Sequence, residues 1–150
     1  GSVIEVEFYN LLVAKLTPDE FFMITPPGTE SERAKSLEAE ITSQGAFVSI
    51  IDQTAGLVGF SLSGPKSRAV MSKLCALPFK SNEFPNMHVT QSSFANVRAT
   101  IIRHDQDDSL TFEFYADRSY GDYLWDTILD AGREFEIQPV GWEAIEHGES

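Results

Sequence analysis

The stretch GFSLSGPKS, residues 59–67, joins an alternating strand pattern to the start of a helix pattern. It lies within one residue of the phosphate-binding loop G-x-x-x-x-G-K-[ST], but Pro65 stands before Lys66. A phosphate loop needs consecutive backbone N–H groups and a lysine that point into one concavity. Proline removes one donor and displaces the lysine, whereas it suits the first position of a helix. We therefore interpret the stretch as a strand-to-helix corner in which Gly64 makes the turn.

Hydrophobic periodicity predicts the elements on both sides of this corner. Alternating apolar residues indicate strands, and apolar residues three and four positions apart indicate helices. The predicted strands are 3–7, 11–16, 20–25, 47–51, 57–62, 88–92, 97–103, 110–115 and 135–138. The predicted helices are 29–45, 65–75 and 119–130, and a further helix starts at Gly141.

Two of the predicted helices begin at residues that favour helix starts. Thr29 and Glu32 have the spacing of a capping box, in which each side chain satisfies a free backbone N–H. Ser119 has the hydroxyl that a helix start prefers. We expect both helices to begin at these caps.

The order of elements predicts an α+β fold. Residues 20–51 and 110–138 both read as strand, broken turn, capped helix, short loop and strand. Two such units favour split β-α-β (ferredoxin-like) units in a mixed, largely antiparallel sheet with helices on one face. We expect a single domain over 3–150 and interpret residues 1–2 as a scar of tag cleavage. The helix at Gly141 reaches the end of the given sequence, which leaves open that the domain is cut from a longer chain.

Composition excludes several classes of partner. The formal net charge is -12, from 23 acidic against 11 basic residues. Nucleic acids and anionic membrane surfaces both require clustered Lys and Arg, so we predict neither as a partner. No apolar run reaches membrane-spanning length, and no secretory signal is visible. The only cysteine, Cys75, fits a reducing compartment, and we expect a cytoplasmic protein.

The residue types that hold metals show no ligand-like arrangement. Counting from Asp105, an EF-hand would need glycine and glutamate where Leu110 and Ala116 stand, so we interpret residues 104–109 as a hairpin turn. The three histidines lie far apart along the chain: His88, His104 and His147. We therefore predict no metal site, and we interpret Cys75 as a core residue.

Glu113 is unusual because it lies between Phe112 and Phe114 inside a predicted strand. Alternation directs its side chain away from the face that the two aromatic rings share. If that opposite face is covered, Glu113 needs a partner, and Arg103 on the preceding strand is the natural candidate. A cross-strand ion pair and a ligand site both remain open.

Three stretches share their pattern with one superfamily: LTPDEFFMITPPG (16–28), IIDQTAGLVGFSLSGPKSRAVMSKLCALPF (50–79) and DRSYGDYLWDTILDAGREFEIQPVGWEAIE (117–146). The second is similar to a D-x-[ST]…L-x-L-S-G-P-x-[AS]-R stretch. Together they resemble the folate-binding aminomethyltransferase superfamily, which includes the glycine-cleavage T-protein and the gamma subunit of heterotetrameric sarcosine oxidase. The likeness covers most of residues 16–146 and implies the aminomethyltransferase folate-binding fold.

The resemblance also bears on cofactors. T-proteins hold the pterin ring of tetrahydrofolate with the first glutamate of a G-E-[LF]-G-[WY]-E segment. The matching residues here are 108–113, where Ser109 stands in place of that glutamate and only Glu113 and the aromatic residue before it agree. The resemblance therefore implies that this chain alone binds no cofactor. If any contact with tetrahydrofolate is retained, the resemblance implies that Arg103 and Glu113 make it.

The resemblance favours a non-catalytic, gamma-type subunit of a heterotetrameric, sarcosine-oxidase-like amine oxidase linked to one-carbon metabolism. Its partners would be the larger flavoprotein subunits, and the chain would not be an enzyme on its own. Two alternatives stay open. One is a folate-dependent aminomethyl or methyl transferase, or a domain of one. The other is a stand-alone assembly or binding module of the same fold.

Overall fold

The computed structural model describes residues 1–6, 11–80, 82–106 and 108–141, and strands and helices alternate along them. The strands are β1 (Val3–Val6), β2 (Leu11–Lys15), β3 (Phe21–Ile24), β4 (Leu57–Ser63), β5 (His88–Phe94), β6 (Val97–Arg103) and β7 (Thr111–Asp117). The helices are α1 (Glu30–Ser43), α2 (Ser67–Leu74) and α3 (Gly121–Gly132). Most predicted elements are thus confirmed to within a few residues.

The strands form two antiparallel sheets. β1, β2 and β3 make one sheet, and the other has the strand order β4-β7-β6-β5. The two sheets are connected beside β1, where Ser2 bridges to His88 and the Val3 N–H donates to the Met87 carbonyl at 2.8 Å. The α+β class with antiparallel pairing is confirmed, although the strands are divided between two sheets. The tag origin of residues 1–2 stays a prediction.

The four-stranded sheet is covered on both faces. Toward the helices, Phe112 and Phe114 of β7 pack with Met71 of α2 and Leu124 of α3, all almost fully buried. Alternate residues point the other way, and Ile102 packs there against β1 and β2. The resulting order of layers is helices, four-stranded sheet, three-stranded sheet.

The strand-to-helix corner is confirmed. β4 ends at Ser63, and Gly64 follows with φ +115°, a conformation that favours glycine. The Ser67 hydroxyl donates to the carbonyls of Gly64 at 2.7 Å and of Leu110 at 3.1 Å, which fixes the corner against the hairpin before β7. Pro65 lies in the turn before α2 rather than at its first position. The hairpin turn predicted at 104–109 is also confirmed, since Gln106 and Ser109 exchange backbone hydrogen bonds.

Both predicted helix caps are wrong. The Thr29 hydroxyl donates to the Pro26 carbonyl at 2.8 Å and makes no capping bond to α1. Before α3, the Asp117 carboxylate accepts from the Ser119 N–H at 2.9 Å, so that Asp117 caps the 3-10 turn 118–120 that leads into α3, and Ser119 caps neither. In each case the hydroxyl donates to a nearby oxygen instead of accepting from a helix N–H, Thr29 to the Pro26 carbonyl and Ser119 to the Asp117 carboxylate.

Two predicted strands are also wrong, and the repeated strand–helix–strand unit is not formed. At 135–138 the chain turns back, because Glu136 has φ 58° and the Ile137 N–H donates to the Gly132 carbonyl at 3.3 Å. Residues 47–51 form no strand, and Phe47 is 97% exposed. The helix predicted from Gly141 falls on 142–150, outside the described residues.

α1 differs from the other two helices because it contributes no buried residue. In the described part of the chain, no helix is long and apolar enough to cross a membrane.

Candidate functional site

The two sheets enclose a pocket of about 560 Å³. Its walls come from β1, β2, the end of β3 with the turn after it, β4, β7 and the residues after β6. Leu12, Ile24 and Pro26 make part of the wall apolar. The side chains that supply polar atoms are Glu5, Thr25, Ser61, His104, Gln106, Glu113 and Tyr115. A concave, mostly apolar site with a few converging polar groups is the usual form of a small-molecule site.

Glu113 is the central polar group of this pocket. Because Phe112 and Phe114 point into the helix-side core, alternation along β7 directs Glu113 to the opposite face, as predicted. The three-stranded sheet covers that face, and the Glu113 side chain is only 13% exposed. Its Oε2 accepts a hydrogen bond from the Tyr115 hydroxyl at 2.7 Å. A carboxylate inside the protein thus has a neutral donor as its direct partner.

His104 connects the carboxylates of the two sheets. Its backbone N–H donates to the Thr111 carbonyl at 3.1 Å, which places the ring just beyond the end of β6. Nδ1 lies 3.6 Å from Oε1 of Glu113, and Nε2 lies 3.7 Å from Oε2 of Glu5 on β1. A protonated imidazole would be attracted to both carboxylates. A neutral imidazole has a single N–H and could direct it toward only one of them.

Tyr115 is held as a protonated donor. Burial, with the negative charge of Glu113 and the hydrogen bond to it, raises the pKa of the Tyr115 hydroxyl far above its usual range. The ring lies across Gly59, its partner on β4; a Cβ there would lie 2.8 Å from Cε1 of Tyr115. Phe22 of β3 packs beside it, with ring centroids 5.1 Å apart. Gly59 is therefore needed to let Tyr115 lie flat in the pocket.

Arg103 lies outside this pocket, and its predicted pairing with Glu113 is wrong. The register places Arg103 opposite Phe112 and Glu113 opposite Ile102, so the two side chains leave opposite faces of the sheet. Arg103 instead donates to Asp105 from Nε at 3.0 Å and from Nη2 at 2.7 Å. Burial would raise the pKa of Asp105, but the hydrogen bonds from Arg103 and Thr111 and the nearby positive charges lower it overall.

The arrangement can accept hydrogen bonds from a ligand. Glu113 has acceptor capacity beyond its bond from Tyr115 and can accept N–H donors of a planar ring, with the His104 imidazole beside it. Within the described residues, no group of three or more His, Cys, Asp or Glu side chains could hold a metal ion. Sequence reasoning missed Tyr115 and His104 as site residues. Alternation along β7 could have identified Tyr115, because it lies two residues after Glu113 and therefore points to the same face of the sheet.

Fold and site together define an antiparallel α+β domain with a pocket between its two sheets. The chain belongs to the GCVT N-terminal domain family, which matches residues 7–148. This confirms the resemblance to the aminomethyltransferase superfamily.

Several curated proteins are similar over nearly the whole chain. Human mitochondrial dimethylglycine dehydrogenase is 29% identical over 138 residues, which are 92% of this chain and 16% of that protein. The aminomethyltransferase of Clostridium botulinum (strain Okra / Type B1) is 26% identical over 143 residues, which are 94% of this chain and 36% of that protein. The chain therefore spans only a fraction of the length of these relatives.

The fold matches a solved structure. A chain of the heterotetrameric sarcosine oxidase from Corynebacterium sp. U-96, in complex with pyrrole 2-carboxylate, superposes with a TM-score of 0.71 and 22% sequence identity. The match covers 94% of this chain and 68% of that one.

Proposed function

We propose that this chain is a non-catalytic, gamma-type subunit of a heterotetrameric amine oxidase of the sarcosine oxidase kind, linked to one-carbon metabolism. Its partners are larger flavoprotein subunits. The observation that carries the proposal is the length of the structural neighbour. Because 94% of this chain corresponds to 68% of that chain, the neighbour is less than one and a half times as long. A short chain of this fold thus occurs in a heterotetrameric amine oxidase.

The contacts of Glu113 support a non-catalytic function. Its Oε2 already accepts from Tyr115 at 2.7 Å, and Oε1 lies 3.6 Å from His104. A ligand whose N–H donors bridge both oxygens of this carboxylate competes with the Tyr115 hydroxyl for Oε2. Breaking a hydrogen bond to a charged group typically costs about 1.5–3 kcal/mol, or roughly ten- to a hundredfold in affinity.

Co-expression with the flavoprotein subunits encoded in the same genome tests the subunit function. We expect this chain and the flavoproteins to elute together in size-exclusion chromatography as one species that absorbs as flavin. The flavoprotein subunits expressed without this chain are the control and should elute as a smaller species. Elution of this chain as a separate, colourless protein would contradict the proposal.

The second candidate is a folate-dependent aminomethyl or methyl transferase, or a domain of one. The observation that favours it is a carboxylate, Glu113, in an inter-sheet pocket of about 560 Å³ in a relative of aminomethyltransferases. A carboxylate in such a place can accept the N–H donors of a pterin ring.

Calorimetric titration with tetrahydrofolate separates the two candidates. For the subunit, we expect no heat of binding at micromolar protein, because the Tyr115 hydroxyl competes with the ligand for Oε2 of Glu113. Low-micromolar binding that Glu113→Gln abolishes would favour the transferase instead. Glu83→Gln, at an exposed glutamate outside the pocket, is the matched control and should leave any such binding unchanged.

A further inference from the structure

We propose that residues 47–51 (FVSII) dock a β-strand of a partner protein, and that basic residues of the partner flank this strand. The proposal rests on the proposed function, since the partner belongs to the same assembly. It names the surface through which the chain is bound and the chemistry of the surface opposite it.

The first support is the disagreement between sequence and structure at these residues. Phe47, Val48, Ile50 and Ile51 are aromatic or β-branched, a composition that favours strands. Their exposure also alternates as in a strand, because Val48 and Ile50 are half-buried and Phe47, Ser49 and Ile51 are exposed. The segment has the pattern of a strand with one face toward the protein.

The second support is the backbone. Within the described part of the chain, no backbone N–H or carbonyl of residues 47–51 makes a hydrogen bond to another backbone group. A run of unpaired backbone groups in a strand-forming segment is a template for another strand. Recognition by strand addition uses these groups for affinity and the outward side chains for specificity.

The third support is exposed apolar area. Phe47 is 97% exposed and Ile51 is 72% exposed. Both side chains lie on the exposed side of the segment that Ser49 shares, and exposed large apolar side chains that share one side are candidates for contact with a partner. A strand laid along the segment would cover both side chains while its backbone pairs.

Charge decides between a second copy of this chain and a different partner. The adjoining helix α1 carries Glu38 and Glu40 near its end and no basic residue in its last turn, and Asp52 follows the segment. A second copy would bring the same acidic residues and a net charge of -12. Like charges disfavour that contact, whereas lysine or arginine on the partner complements it.

Ser49→Pro is the variant that tests strand docking. Ser49 is exposed and its N–H donates to no backbone carbonyl of the described residues, so proline removes no backbone hydrogen bond seen in the isolated chain. Proline cannot donate to a sheet ladder, and we expect it to weaken partner binding about tenfold or more. Ser49→Thr keeps the N–H and should bind as the unchanged chain does. Equal thermal melting of both variants shows that folding is unaffected.

The side-chain contribution is tested in the same complex. Phe47→Ala should weaken binding, whereas Phe21→Ala, at an exposed aromatic residue on β3, is the matched control and should not. Equal binding by all of these variants would overturn the docking surface.

Hydrogen exchange distinguishes failure of the surface from failure of the proposed function. In the complex with the flavoprotein subunits, we expect slowed exchange of the amides of residues 47–51. A complex in which these amides exchange as fast as in the isolated chain overturns the inference and leaves the subunit function intact. Protection in the isolated chain that rises with its concentration overturns it in favour of a second copy.

If no complex forms, the proposed function fails and the surface is tested with a probe. The probe is a short peptide of alternating valine and lysine, and the control replaces its lysines by glutamates. Slowed exchange at residues 47–51 with the lysine peptide alone supports a basic strand. No protection by either peptide, or equal protection by both, overturns the inference.

Discussion

The corner region (residues 57–74) and the α1 region (residues 30–56) carry similar sequence signals and have different surroundings. In the corner region, Leu62, Val70 and Met71 are buried against the four-stranded sheet. In the α1 region, no residue of the helix is buried, and the strand predicted after it does not form. The comparison shows that a local pattern predicts where an element can form, while packing decides how strongly it is held.

The physical difference lies in what each helix covers. A helix of 14 residues is marginal in water on propensity alone, and most helical stability in proteins comes from packing of an apolar face. α2 packs Met71 into the core beside α3. Ala34, Leu37 and Ile41 of α1 have helical spacing but stay half-exposed. We therefore expect changes in the corner region and the sheet behind it to affect global stability, and changes in the α1 region to affect it little.

The largest effect is expected for a truncation in the sheet behind the corner. Phe114 is 1% exposed and packs on Phe94, with ring centroids 4.5 Å apart. Phe114→Ala should lower the free energy of unfolding by about 3–5 kcal/mol, measured by urea denaturation. Phe47→Ala, in the α1 region, is the matched control and should change it by less than about 0.5 kcal/mol. Similar losses for both variants would break the comparison.

An intermediate effect is expected at Asp105, whose pKa is lowered. Asp105 is largely buried and holds Arg103, so Asp105→Asn should lower the free energy of unfolding by about 1–3 kcal/mol at neutral pH. Because the folded pKa lies below the unfolded one, the carboxylate contributes stability above the unfolded pKa, and this is lost as the pH falls through the folded pKa. The difference between the two proteins should shrink in acid, measured by urea denaturation at several pH values.

Asp52 is the control in the α1 region. Hydrogen bonds from the side chain and backbone N–H of Thr54 lower its pKa, but the carboxylate is fully exposed. A bond between residues two apart can also form in the unfolded chain, so Asp52→Asn should leave the pH dependence of stability unchanged. A shift as large as that of Asp105→Asn would show that the α1 region is packed more firmly than we infer.

The smallest effect is expected for two serine hydroxyls that donate to backbone carbonyls. The Ser67 residue is 2% exposed and its hydroxyl bonds Gly64 and Leu110, whereas the exposed Ser43 bonds Glu40 at the end of α1. Ser67→Ala should lower the free energy of unfolding by about 1–2 kcal/mol, since it removes a buried hydroxyl that donates to partly buried carbonyls. Ser43→Ala should change it by only a few tenths of a kcal/mol, since water replaces the hydroxyl. The comparison would be contradicted if thermal melting showed a larger loss of stability for Ser43→Ala than for Ser67→Ala.

Part of the candidate site could be predicted from the sequence. The alternation around Glu113 correctly directs its side chain away from the aromatic core. Its partner could not be predicted, because that depends on the register between β6 and β7, which places Arg103 opposite Phe112. His104 was missed because it meets Glu5 only when β1 lies over the four-stranded sheet.

The sequence by itself determined most of the strands and helices, the corner at Gly64 and the membership of the family. These depend on periodicity, on glycine and on motifs within short stretches, which are local properties of the chain. Only the tertiary structure decided that the strands form two sheets with a pocket between them, that Tyr115 is the partner of Glu113, and that residues 47–51 lie unpaired among the described residues. These features depend on contacts between segments that are distant in the sequence. Such contacts, and not local conformational preference, decide which groups pair by hydrogen bonds and which side chains are buried.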